Sequence, residues 1–130
     1  MNGDKRNFSL SIWDHSDNFL CLLKSANSDF NGQSYNENIT ENINGEETLS
    51  FTIPLYIFVN DEEGNPKFEK NERWTHIFNE QKIRYTEYDT ILNKPTIIKE
   101  FVLKNFTEQR NGEEKTVDCQ CESLAVYELG

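Results

Sequence analysis

"IIKEFVLKNFTEQRNGEEKTVDCQCESL", residues 97–124, decides the fold. Asn111-Gly112 is a dipeptide suited to the tight turns that join antiparallel strands, and apolar-rich runs flank it on both sides. Strand alternation in "KTVDCQC" places Val117, Cys119 and Cys121 on one face. The stretch reads as a β-hairpin.

The same logic extends outward to "NINGEETLSFTIP", residues 42–54. Asn44 and Gly45 both tolerate positive φ, which predicts a two-residue turn. After it Leu49, Phe51 and Ile53 point one way and Ser50 and Thr52 the other, the period of a half-buried strand. Pro54 ends the run, because it has no N–H to give to a ladder. Nearer the start, Phe8, Leu10 and Ile12 alternate with Ser9, Ser11 and Trp13, "DHSDN" turns the chain, and "FLCLLKSA" forms a second strand. Its continuous apolar character predicts burial on both faces or at an interface.

Residues 27–44 are rich in Asn, Ser and Asp, which favour local side-chain bonds over ladders, although "YNENITENI" can hold a short strand. "LYIFV" reads as a continuation of the strand before it, and "NDEEGNPKFEKNE" as an exposed loop. Ile83, Tyr85 and Glu87 share one side of a further strand, and "LNKPT" turns the chain. "SLAVYELG" ends either as a last strand or as the first turn of a helix, for which Ser123 suits the N-cap. About seven or eight short strands separated by turns predict an all-β barrel or sandwich, with one short helix at most.

A chain of 130 residues is one β-rich domain by size, with material for a single core. Its hydrophobic fraction is low at 35%, yet nine Phe, five Tyr and two Trp supply bulk, so neighbouring molecules are expected to complete part of its apolar surface. The net charge of −10 opposes a nucleic-acid groove, where phosphate repulsion resists binding. Neither a signal peptide nor a membrane-spanning run is read in the sequence, and either cytosol-like conditions or export by a non-Sec route such as cell lysis is expected.

Chemistry is sparse. No nucleophile elbow, phosphate loop or His-Glu-x-x-His motif occurs. His15 belongs to a polar turn and His76 lies among apolar residues, so neither suggests a base. Cys119 and Cys121, with only Cys21, His15 and His76 as soft partners, read as small buried residues rather than a zinc site. No catalytic, cofactor-binding or metal-ligating residue is assigned.

The order of the motifs carries more. An early hairpin, "ENINGEETLSFTIP", a loop, "WTHIFNEQKIRY" and "KEFVLKNFTEQRNGEEKTVDCQCESLAVYELG" together resemble the N-terminal region of siphophage tail-tip hub proteins, the family of tail-associated lysins and prophage endopeptidase tail proteins. The matching positions are Asn44, Gly45, Leu49, Phe51, Phe101, Leu103, Val117, Cys121, Glu122, Tyr127 and Leu129. The resemblance implies a β-barrel-like tube domain, the first module of a longer hub protein. It also implies a trimeric hub with a pseudo-sixfold ring of its own copies, bound to the distal tail protein. Residence in the virion tail tip after assembly in the host cytoplasm follows from the same resemblance, as do the absence of specific nucleic-acid binding and of membrane contact in this segment. The listed positions would be scaffold and carry no chemistry. A second reading is a β-sandwich carbohydrate-binding module using exposed Trp13, Trp74 or Tyr88, and a cell-wall hydrolase is the weakest of the three.

Overall fold

The computed structural model describes residues 7–26, 29–43, 45–77, 80–112 and 114–128. Among them the chain forms strands β1 (Phe8–Trp13), β2 (Phe19–Lys24), β3 (Tyr35–Glu41), β4 (Glu47–Pro54), β5 (Tyr56–Asn60) and β6 (Pro66–Lys70). A 3-10 helix (Glu72–His76) follows, then β7 (Lys82–Tyr88), β8 (Pro95–Asn111) and β9 (Glu114–Glu128). The fold is all-β. Seven strands form one sheet in the order β2-β1-β7-β8-β9-β4-β3, and β5 and β6 form a separate two-stranded sheet.

The β8–β9 hairpin is the spine of the large sheet, paired from Ile97 opposite Glu128 to Asn111 opposite Glu114. Its two flanks are staggered. On one side β7 pairs with β8 only between Tyr88 opposite Pro95 and Lys82 opposite Val102. On the other, β4 pairs with β9 from Thr48 opposite Glu122 to Pro54 opposite Thr116. Register shifts at Glu100/Phe101 and Leu103/Asn105 fit this stagger, since an extra residue bends a strand and increases its twist.

One face of the sheet carries the core. Leu49, Phe51 and Ile53 are buried while Ser50 and Thr52 are only partly covered, as the alternation in β4 predicts. Val117, Cys119 and Cys121 of β9, Phe101 and Leu103 of β8, and Ile83 and Tyr85 of β7 face the same cluster. Leu10 and Ile12 of β1 and Leu23 of β2 extend it.

The sheet curls without closing. Ser34 donates its N–H to the Leu23 carbonyl at 2.8 Å, and Lys24 pairs with Glu37 at 3.2 Å, so the two edge strands touch at one corner. No ladder joins β2 to β3 among the described residues, and the arrangement fits a sandwich-like open sheet, not the closed barrel that the pattern also allowed. Arg73 contributes to keeping the seam open: its Nε donates to the Leu22 carbonyl at 2.8 Å, occupying an acceptor that a neighbouring strand would need.

Other expectations change in the structure. Residues 60–72 are not a loop throughout, because β5 and β6 form a hairpin around Glu62, Glu63 and Gly64. The turn is closed by Asp61 N–H to Asn65 O at 2.8 Å and Gly64 N–H to Asp61 O at 3.0 Å. Nor does β4 run on through "LYIFV": Leu55 is buried, donates to Lys115 O at 2.9 Å, and steps the chain from the large sheet to the small one. Ser123 is no helix cap; β9 continues through it, and its Oγ accepts the Glu47 N–H at 3.3 Å. The short helix lies instead at Glu72–His76, capped by Asn71.

The turn before β4 is longer than the dipeptide suggests. Asn42 N–H bonds Glu46 O at 2.7 Å and Gly45 N–H bonds Asn42 O at 2.9 Å, so the loop spans residues 43–45 with Gly45 at φ 87°. This is the longer hairpin loop whose last residue must be left-handed. Asn44 and Leu129 lie outside the described residues.

Candidate interaction surface

The surface that stands out is aromatic, and it is built by the small sheet. On β5 the alternation turns Tyr56 and Phe58 outward, and Phe68 of β6 sits opposite Phe58 with ring centroids 5.1 Å apart in an edge-to-face pair. Tyr35, the first residue of β3, and Glu114, Lys115 and Thr116 at the top of β9 form the facing wall. Between them lies an open groove of about 870 Å³. The rings are unusually accessible for their size: Phe68 is 69% exposed, Phe58 55%, Tyr56 42% and Tyr35 39%.

Polar contacts hold the groove in place. Asn31 donates its side-chain amide to the Phe58 carbonyl at 2.9 Å, tying the β2–β3 connection to β5. Beneath it, Asn71 is fully buried and its Nδ2 reaches both Gly32 O at 3.0 Å and Pro54 O at 2.8 Å. Arg73 stacks on Phe30 at 4.2 Å. The walls therefore rest on the main scaffold.

The charge at the groove is mixed. Burial raises the Tyr35 phenol above its ordinary pKa, and the Glu114 and Asp118 carboxylates raise it further. Asp118 in turn accepts from Thr52 Oγ1 at 2.8 Å. The Lys115 ammonium lies 5.8 Å from the Tyr56 ring centroid.

The aromatic residues picked out from the sequence are less available. Trp13 and Trp74 are half-buried, and each has a cation over its ring: Arg84 at 4.1 Å on Trp13 and Lys70 at 4.5 Å on Trp74. Trp13 also donates Nε1 to Ser11 Oγ at 2.8 Å and meets Phe19 edge-on. Tyr88 is half-buried, with its N–H on Asn7 O. The expectation that these three are exposed is corrected. Tyr56, Phe58 and Phe68 lie in the stretches that the sequence reads as continuation and loop; β5 carries an alternating aromatic pair, but Phe68 is the one aromatic of β6, so the second strand has no pattern of its own.

The motif positions fall into separate groups. Leu49, Phe51, Phe101, Leu103, Val117 and Cys121 meet in the core, and Gly45 sits in its turn. Glu122 is exposed and pairs with Thr48, while Tyr127 lies opposite Ile98 in the hairpin. His15 is exposed and His76 half-buried. Burial pushes the Cys21 thiol up to about 11 and the Cys119 thiol up to about 12, and raises Cys121 as well, which leaves all three un-ionised at neutral pH. Among the described residues no three His, Cys, Asp or Glu side chains gather as a metal site, and no helix is long and apolar enough to cross a membrane.

The stagger of the spine leaves two free edges among the described residues. Beyond Leu103, β8 has no strand on the side away from β9, and Asn105–Arg110 are all exposed. Beyond Ser123, β9 has no strand on the side away from β8, and Leu124 there is 53% exposed. Compared with known proteins, the chain matches no family model, no curated protein and no solved structure.

Proposed function

We propose that this chain is a structural module of a siphophage tail-tip hub, assembling with its own copies and with the distal tail protein. The observation that supports this reading best is the pair of free edges on the β8–β9 spine. They lie on opposite sides of the hairpin and differ in sequence, "NFTEQR" on β8 against "SLAVYE" on β9. A contact between two unlike edges is heterologous, and such contacts build rings when the rotation closes. Exposed backbone donors and acceptors along both edges supply the affinity, because an unpaired strand is a template for another.

The acidic balance suits the same role. A net charge of −10 around a ring gives a lumen through which DNA slides without sticking. The order of motifs from Phe8 to Leu129 adds the family resemblance.

The deciding experiment mixes this chain with the distal tail protein of the same tail and measures the absolute mass of the product by light scattering after size exclusion. A ring-sized complex is expected. Separate elution at micromolar concentration overturns the hub reading.

A further inference from the structure

We propose that the groove between the β5–β6 hairpin and the top of the β8–β9 spine binds neutral oligosaccharides. Tyr35, Tyr56, Phe58 and Phe68 all line it, and all four rings are exposed. A pyranose shows apolar C–H surface on its faces and hydroxyls at its rim, and exposed aromatic rings in a groove suit the former.

The second observation is polar. Among the described residues the Tyr35 and Tyr56 hydroxyls, the Glu114 carboxylate and the Thr116 hydroxyl have no hydrogen-bond partner within the protein, and all four line the groove. A purely apolar partner would bury them unsatisfied, which is costly. The hydroxyls of a sugar meet such groups at the ring's rim while its faces stay on the aromatics. Volume agrees, since about 870 Å³ is at the upper end of small-ligand sites and admits more than one sugar ring.

Charge selects among sugars. Glu114 lines the groove, Asp118 adds to the field felt by Tyr35, and the chain as a whole is acidic, so sulfated, phosphorylated or uronic polymers are repelled. Lys115 is the groove's own cation and already lies against Tyr56. Neutral or N-acetylated chains remain. This proposal is separate from hub assembly and survives the failure of that reading.

The test is an amide chemical-shift titration of the full chain with cellotetraose and with chitotetraose, using heparin as the polyanion control. Saturable shifts are expected at Asn31, Tyr35, Phe58, Phe68 and Thr116 with at least one of the two neutral probes. Phe68→Ala and Tyr56→Ala, both at exposed positions, are expected to weaken binding about tenfold each, with the amide spectrum otherwise unchanged. Ile91→Ala, exposed outside the groove, is expected to bind as the parent does. No saturable shift with either neutral probe to about 10 mM, shifts that survive both aromatic substitutions, or equal shifts with heparin would each overturn the proposal.

Discussion

The Asn71 side-chain amide donates to the Gly32 carbonyl at 3.0 Å, joining residues that the sequence holds far apart. The same Nδ2 donates to Pro54 O at 2.8 Å, and Oδ1 accepts from the Arg73 N–H at 3.2 Å. One fully buried carboxamide thus pins the end of β4, the connection into β3 and the start of the 3-10 helix. Asn71→Ala leaves two carbonyls without their donor and is expected to cost about 3 kcal/mol. Asn71→Asp, which turns acceptors toward those carbonyls, is expected to cost more. Urea denaturation ranks the two, and the reverse order contradicts this account.

Gly32 and Gly45 have nearly the same φ, 88° and 87°, but different surroundings. A Cβ at Gly45 meets nothing within 4 Å, whereas one at Gly32 meets the Ile57 Cγ2 at 2.9 Å and the Asn71 Nδ2 at 3.0 Å. Gly45→Ala is expected to cost about 1 kcal/mol from backbone strain alone. Gly32→Ala carries the same strain plus displacement of Asn71, and is expected to cost at least about 2 kcal/mol. Equal midpoints in thermal unfolding would refute the difference.

The three thiols predict a pH response. Each has a folded pKa above the unfolded value of 9.0, so the native state keeps its proton where the unfolded chain loses it. Stability is fully present below pH 9 and falls as pH rises toward the folded values, by up to about 1.4 kcal/mol per pH unit for each of the buried Cys119 and Cys121 and by less for the partly exposed Cys21, where solvent screens the effect. Cys21→Ser, Cys119→Ala and Cys121→Ala together are expected to flatten that fall relative to the parent. In the native protein at pH 8, iodoacetamide is expected to label the thiols far more slowly than in urea, and comparable rates would count against buried, un-ionised sulfur.

Edge assembly makes its own prediction. Leu124→Lys puts a charge beside the free edge of β9, which opposes pairing with another strand. It is expected to reduce the mass of any complex formed with the distal tail protein while leaving monomer stability within about 0.5 kcal/mol. Loss of fold, or an unchanged complex, would argue against that edge as the contact.

Much of this architecture was legible, and the illegible parts have physical causes. The alternation in Leu49, Phe51 and Ile53 and the β8–β9 hairpin were readable because one face of each strand is covered and the other is not. β6 was hidden because all five of its residues are exposed, so no apolar period marks it. The 3-10 helix was hidden because its cap, Asn71, is explained by contacts to Gly32 and Pro54 that no local pattern encodes. The aromatic groove depends on the meeting of β5, β6, Tyr35 and the top of β9, and is a property of topology. Whether the sheet closes was equally unreadable, since it turns on where Arg73 and Ser34 lie relative to β2.

β9 follows the other described strands in sequence and lies between β8 and β4 in the sheet. During synthesis β2, β1, β7 and β8 can pair in sheet order without it, but the β3–β4 hairpin has no place in that sheet until residues 114–128 emerge. Closing β4 onto β9 spans Thr48 to Glu122, a loop whose entropy must be met before its contacts form. The sheet is consequently expected to form slowly and late, with apolar strand faces exposed to chaperones until β9 leaves the ribosome.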